Sequence, residues 1–214
     1  MQKVDIQYLQ GEDVVVPEQG YEGDFATDLH VSEGRLIPPL SFKSVIIPTK
    51  LQTAFDENLV GMKLALRSGV SLNTPLVIPN APAIIEGTYR NTINVIVRNT
   101  FIDNSPVDFV FDLKGNQVPL HEVPNVVKKN AREFFLDELK RLGYPDLNAK
   151  DAKDIKNQMF KTLVPRGTVY VPKNSRLAQM YFSPKIQPNF VPVNELPPSE
   201  RGMGGLGSSG VDKK

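Results

Sequence analysis

The sequence predicts an all-β chain, a sandwich or distorted jelly-roll barrel, interrupted by a pair of helices. Three observations predict it. Short apolar runs recur between Pro, Gly and Asn from the start to about Asn99, the apolar spacing turns helical after Asn125, and the short-run pattern returns beyond Gly167. Turn-rich strands at such spacing suit packed or closed antiparallel sheets.

In chain order, strands are expected at Val14-Val15-Val16, Val45-Ile46-Ile47, Met62 to Leu66 and Ile93 to Val97. Asn125 is placed to cap a helix whose apolar positions Val127, Ala131, Phe134, Phe135, Leu139 and Leu142 follow helical spacing, with Gly143 placed to end it. Asn148 precedes a second helix, in which Ala152, Ile155, Met159, Phe160 and Leu163 share a face before Pro165. Strands resume at Thr168 to Val171 and at Leu177 to Phe182. The proline-rich stretch Phe190 to Pro198 then reads as an extended strand leading to a glycine-rich end. These divisions give a barrel from 1–101 and 166–198, a helical insert at 102–165 and an arm at 199–214. The apolar stripes of the helices read as core, and the Lys and Glu residues opposite them as a solvated face. The helical hairpin is expected to project from the barrel.

A chain of 214 residues can bury one substantial core, and 40% hydrophobic with 23% charged residues is an ordinary globular balance. A net charge of +1 argues against bulk nucleic-acid binding and leaves a small charged ligand open. No apolar stretch approaches the roughly 20 residues needed to span a bilayer, and the first residues lack signal-peptide character, so a cytosolic protein is expected. Cysteine is absent, which excludes disulfides, thiol nucleophiles and cysteine zinc sites. With only His30 and His121, a histidine triad or multi-histidine metal site is disfavoured.

Five segments carry chemistry. Asp24 to Leu29 places a carboxylate, Asp28, at a strand start, and Leu66-Arg67-Ser68-Gly69-Val70 gathers a cation, a hydroxyl and a glycine in one tight turn. Asn80 to Asn91 sets Glu86 and Tyr89 around a turn between apolar strands, an ordinary β-hairpin on the plainest view. Ser175-Arg176-Leu177-Ala178-Gln179 begins a late strand. Last comes Ser199 to Gly210, an arginine followed by glycines and serines, which is either a disordered tail or an arm whose backbone N–H groups, guanidinium and hydroxyls wrap a phosphate.

In this order the five segments resemble the five motifs of the trimeric deoxyuridine triphosphate pyrophosphatases, the dUTPases. The resemblance covers the chain outside 102–165. It implies a jelly-roll homotrimer with three shared sites: motifs one, two and four from one subunit, motif three from a second, and the arm from the third. It implies that Mg²⁺ binds the triphosphate of dUTP and that water attacks the α-phosphorus to release dUMP and pyrophosphate. By position, Glu86 is the general base, and Asp28 holds the hydrated metal through water. Arg67, Ser68 and Gly69 contact phosphates, and Gln179 contributes a further polar contact. Asn80, Ile85 and neighbouring backbone read the uracil edge, and Tyr89 packs under deoxyribose. Arg201, Gly204, Gly205, Leu206, Ser208 and Ser209 close over the nucleotide. A triphosphate with Mg²⁺ needs positioning, charge neutralisation and one base, and these residues supply them.

Departures cluster in the third motif, where Glu86 stands for the usual aspartate, Ala83 and Asn91 for usual glycines, and Thr88 for a usual aspartate. The extra methylene of Glu86 moves its oxygens by about 1 Å, a displacement that can cost roughly 100-fold in rate unless the backbone retreats. Leu206 replaces a common uracil-stacking aromatic, worth about 0.5–1.5 kcal/mol. A related dCTP deaminase needs a glutamate on the strand after motif three, and Ile93 to Val97 has none. The remaining alternative is a dUTPase-like regulatory protein that binds a partner through the helical insert with weak or no hydrolysis. Some phage members carry inserts here, which implies the host cytoplasm if the chain is phage-encoded. Neither nucleic acid nor membrane is expected as a partner.

Overall fold

The computed structural model describes residues 3–39, 43–103, 105–143 and 150–199, with side chains from 153 onward in the last stretch. The strands are β1 (Gln7–Tyr8), β2 (Thr27–His30), β3 (Arg35–Ile37), β4 (Val45–Pro48), β5 (Thr53–Ala54), β6 (Val60–Leu66), β7 (Leu76–Val77), β8 (Ala83–Ile85) and β9 (Asn94–Asn99). They continue as β10 (Pro106–Val107), β11 (Phe109–Phe111), β12 (Gln117–Pro119), β13 (Val164–Pro165), β14 (Val169–Val171) and β15 (Arg176–Pro184). Helices are α1 (Ser68–Asn73), α2 (Asn125–Arg141) and α3 (Lys150–Gln158).

Two four-stranded sheets, β2-β15-β6-β8 and β12-β11-β14-β3, and a three-stranded sheet, β4-β9-β7, make the body. Alternation explains them. In β9, Val95, Val97 and Asn99 turn inward while Ile96 and Arg98 face out, and in β6 Met62 and Leu64 are fully buried beside partly exposed Lys63. The inward residues join Leu29, Ile37, Ile47, Val169, Val171 and Leu177 in one main core. Asn99 ties the sheets together, donating its amide to Ile37 O at 2.9 Å and Gly167 O at 2.8 Å. The all-β body expected from the sequence is therefore present.

Several local expectations are corrected. Val14 to Val16 forms no strand: Pro17 follows it without an N–H to offer, and only a single bridge, Glu18 to Asp28, links this stretch to β2. Residues 185–199 join no sheet, consistent with the missing donors of Pro188, Pro192, Pro197 and Pro198, and Phe190 is 90% exposed. Asn125 is not the cap of α2. That position belongs to Pro124, and Asn125 is already helical, so its side chain caps nothing. Gly143 does turn the chain, with φ of 69°. Asn148 lies outside the described residues.

Segment 102–165 holds strands as well as helices. β11 pairs with β12 and, in parallel, with β14, so residues 109–119 extend a barrel sheet. Val110, Leu120, Val123, Val127, Ala131, Met159, Phe160 and Val164 form a second core that also buries Leu36 of β3 and packs against Tyr170 of β14. The segment is thus seated on the barrel and does not merely project from it. Gly34 permits the approach, because a Cβ there would lie 2.9 Å from Val127 Cγ2. One residue of the expected solvated face is buried: Glu138 accepts Arg141 Nε at 2.9 Å and the Lys43 backbone N–H at 3.0 Å.

Candidate active site

Antiparallel pairing of β2 with β15 sets Gln179 directly opposite Asp28 and Arg176 opposite His30, with an irregularity between Arg176 and Ala178. Asp28 is buried, and its two oxygens take different arginines: Oδ1 lies 2.7 Å from Arg67 Nε and Oδ2 lies 3.1 Å from Arg176 Nη1. One carboxylate between two guanidiniums leaves a net positive triad. Its cations carry the exposed edge, since the Arg67 and Arg176 side chains are 37% and 52% exposed against 11% for Asp28. That edge suits phosphate oxygens. Arg67 is followed by exposed Ser68 and Gly69, which open α1, so motif two is a strand-to-helix junction and not an isolated turn. His30 stands beside this cluster with Nδ1 buried and unpartnered, and burial pushes its pKa down.

A cavity of about 590 Å³ gathers the third motif, with Asn80, Ile85, Glu86, Thr88 and Tyr89 in its wall beside Ile46, Ile84, Asn94 and Ile96. Its size and mixed lining suit a small-molecule ligand. The motif is not a paired hairpin. β8 pairs with β6 and β9 with β4 and β7, so the connection from Glu86 to Ile93 crosses between sheets. That connection is held in several ways. Tyr89 N–H donates to Glu86 O at 3.0 Å, Tyr89 Oη donates to Thr92 O at 3.2 Å, and the Arg90 guanidinium donates to Gly87 O. Gly87 is pressed against the 55–57 loop so closely that a Cβ would sit 2.7 Å from Phe55 O. Glu86 itself is exposed, so its carboxylate reaches both cavity and water.

The chain therefore presents two clusters. One brings together Asp28, Arg67 and Gln179 with Ser68 and Gly69 close along the chain, and the other brings together Asn80, Ile85, Glu86 and Tyr89. None of the first group lines the cavity of the second. Arg201, Gly204, Gly205, Leu206, Ser208 and Ser209 lie outside the described residues. Arg176 stands in the fourth segment, but its partnership with Asp28 arises from register across two distant strands and carries no signal in the sequence. Among the described residues no three His, Asp or Glu side chains converge as a metal site. Asp28 fits an outer-sphere role: among the described residues each of its oxygens keeps a lone pair beyond its arginine, enough to accept from a metal-bound water, while direct ligation would set a cation against two guanidiniums.

No protein-family model matches the chain. A deoxyuridine 5′-triphosphate nucleotidohydrolase from Helicobacter pylori (strain Shi470) is 32% identical over 123 residues, covering 58% of this chain and 77% of that protein. The solved dUTPase of Staphylococcus bacteriophage 80alpha with dUPNHPP shares 22% identity at a TM-score of 0.69, covering 99% of this chain and 100% of its own. A variant dUTPase from phage phi11 of S. aureus, described for its coordination of a structural Mg(II) ion, shares 21% at a TM-score of 0.62, covering 91% and 99%. The likeness to the two phage structures is one of fold, a jelly roll.

Proposed function

This chain belongs to the deoxyuridine 5′-triphosphate nucleotidohydrolase family, and from that premise we propose that it hydrolyses dUTP to dUMP and pyrophosphate through the two clusters described above. The observation that carries the reading is the cavity itself, which gathers Asn80, Ile85, Glu86 and Tyr89 in one wall. Asn80 and the backbone near Ile85 read the uracil edge, and Tyr89 packs under the deoxyribose. Glu86 takes the proton of the water that attacks the α-phosphorus. Arg67, Ser68, Gly69 and Gln179 hold the phosphate chain, with Arg67 and Arg176 offering charge to its oxygens. Mg²⁺, when bound, neutralises triphosphate charge, and Asp28 holds its hydration shell through water. The arm residues Arg201, Gly204, Gly205, Leu206, Ser208 and Ser209 close over the nucleotide.

The separation of the clusters within one chain supports a homotrimer in which the cavity of one subunit meets the Asp28 cluster of its neighbour. Among the described residues no helix is long and apolar enough to cross a membrane. A nucleotide substrate supports a cytoplasmic site of action, the host's if the chain is phage-encoded. A second role, binding a protein partner through segment 102–165, draws support from exposed apolar side chains there, Val126 at 63% and Ile155 at 44%. The 80alpha structure is described in terms of phage dUTPases that control transfer of virulence genes.

Pyrophosphate release from dUTP, dTTP, dCTP and UTP, with Mg²⁺ present or chelated, tests the reading. Turnover is expected for dUTP, dependent on the cation. Glu86→Gln keeps the shape but cannot accept a proton, so it should bind nucleotide and not turn over. Near wild-type turnover by that variant would remove Glu86 from the role of base.

A further inference from the structure

We infer that Asn94 is a positioning residue for Tyr89 and, through it, sets the preference for deoxyribose over ribose. The inference rests on the proposed packing of Tyr89 under the sugar. Asn94 opens β9 and lines the same cavity as Tyr89. Its Nδ2 donates to Thr92 O at 3.2 Å, and Tyr89 Oη donates to that same oxygen, also at 3.2 Å. A carbonyl has two lone pairs, so the two donors together fill its capacity and fix its direction. The N–H of Thr92 is held as well, by Asn91 Oδ1 at 2.7 Å.

The peptide around Thr92 is therefore an anchor for the tyrosine hydroxyl, and Asn94 keeps the anchor aimed. Excluding a 2′-hydroxyl is a steric test, and it depends on the ring staying in place. Without the amide of Asn94, the Thr92 carbonyl turns toward water and the ring, 40% exposed, gains room to swing aside. The loss then falls on discrimination between sugars.

The test measures kcat/KM for dUTP and UTP in the wild type, Asn94→Leu, Asn94→Asp, Tyr89→Phe and the double variant Asn94→Leu with Tyr89→Phe. Losing one hydrogen bond of this kind should lower the dUTP-over-UTP preference about threefold to tenfold in each single variant. Asn94→Asp matches asparagine in shape and has no donor when ionised, so it should behave like Asn94→Leu. The double variant should lose no more than the larger single loss, because both changes break one linkage. Wild-type preference in both Asn94 variants, or full additivity in the double variant, would overturn the inference alone. A wild type that does not hydrolyse dUTP, or does not prefer it to UTP, would overturn the proposed function along with it.

Discussion

Asp13 and Glu86 are both carboxylates at the surface, and their neighbours give them opposite uses. Asp13 lies between Lys173 at 2.8 Å and Lys50 at 3.0 Å, and their hydrogen bonds hold its pKa down to about 2. It stays ionised and straps the N-terminal stretch to the barrel. Among the described residues Glu86 has no such partner, and it lines the cavity instead. Because the folded-state pKa of Asp13 is depressed, its stabilisation is complete above the ordinary carboxylate range and is lost as pH falls toward about 2. Asp13→Asn should melt slightly below wild type near neutral pH, with the gap closing between about pH 4 and pH 2 in thermal scans. A gap that persisted at the acid end would remove the strap. The candidate residues Asp28, Arg67, Glu86, Tyr89 and Gln179 stand out in the sequence because each sits in a short segment whose order carries information. Arg176 as a partner of Asp28 does not, because it follows from register between distant strands, and Asn94 as a partner of Thr92 does not, because it depends on the local path of the chain into β9.

At the scale of elements, β4, β6, β9, β14 and β15 were legible because each carries a short apolar run bounded by turn residues. The strands of 106–119 were missed. They are only two or three residues long, too short for a period to show, and β11 finds its parallel partner β14 far along the chain. Helix α2 was legible in its stripe, but the burial of Glu138 was not, since its reason is the Lys43 backbone on another element. Hydrogen bonds from Arg141, followed by that from Lys43, hold the Glu138 carboxyl below its usual range against the effect of burial. Glu138→Ala should destabilise the protein by about 1–3 kcal/mol at neutral pH, because the Lys43 N–H loses its acceptor. The difference should shrink as pH falls below the carboxylate range, where the wild-type side chain is also neutralised. Denaturant titrations at both pH values check it, and an unchanged midpoint at neutral pH would show that α2 is held by its apolar seam alone.

At the scale of the molecule, the proposed dUTP-hydrolysing site joins two clusters, held apart in one chain, across the boundary between chains. The most direct measurement mixes two variants, Glu86→Gln, which lacks the base, and Arg67→Gln, which lacks the phosphate cation. Each alone should release almost no pyrophosphate from dUTP. Co-refolded in equal amounts, random trimers are three-quarters mixed, and each mixed ring restores one site of three, so about a quarter of wild-type activity should return. Recovery near that fraction is the predicted result. No recovery from a mixture shown to contain mixed trimers, or high activity in either variant alone, would contradict the account.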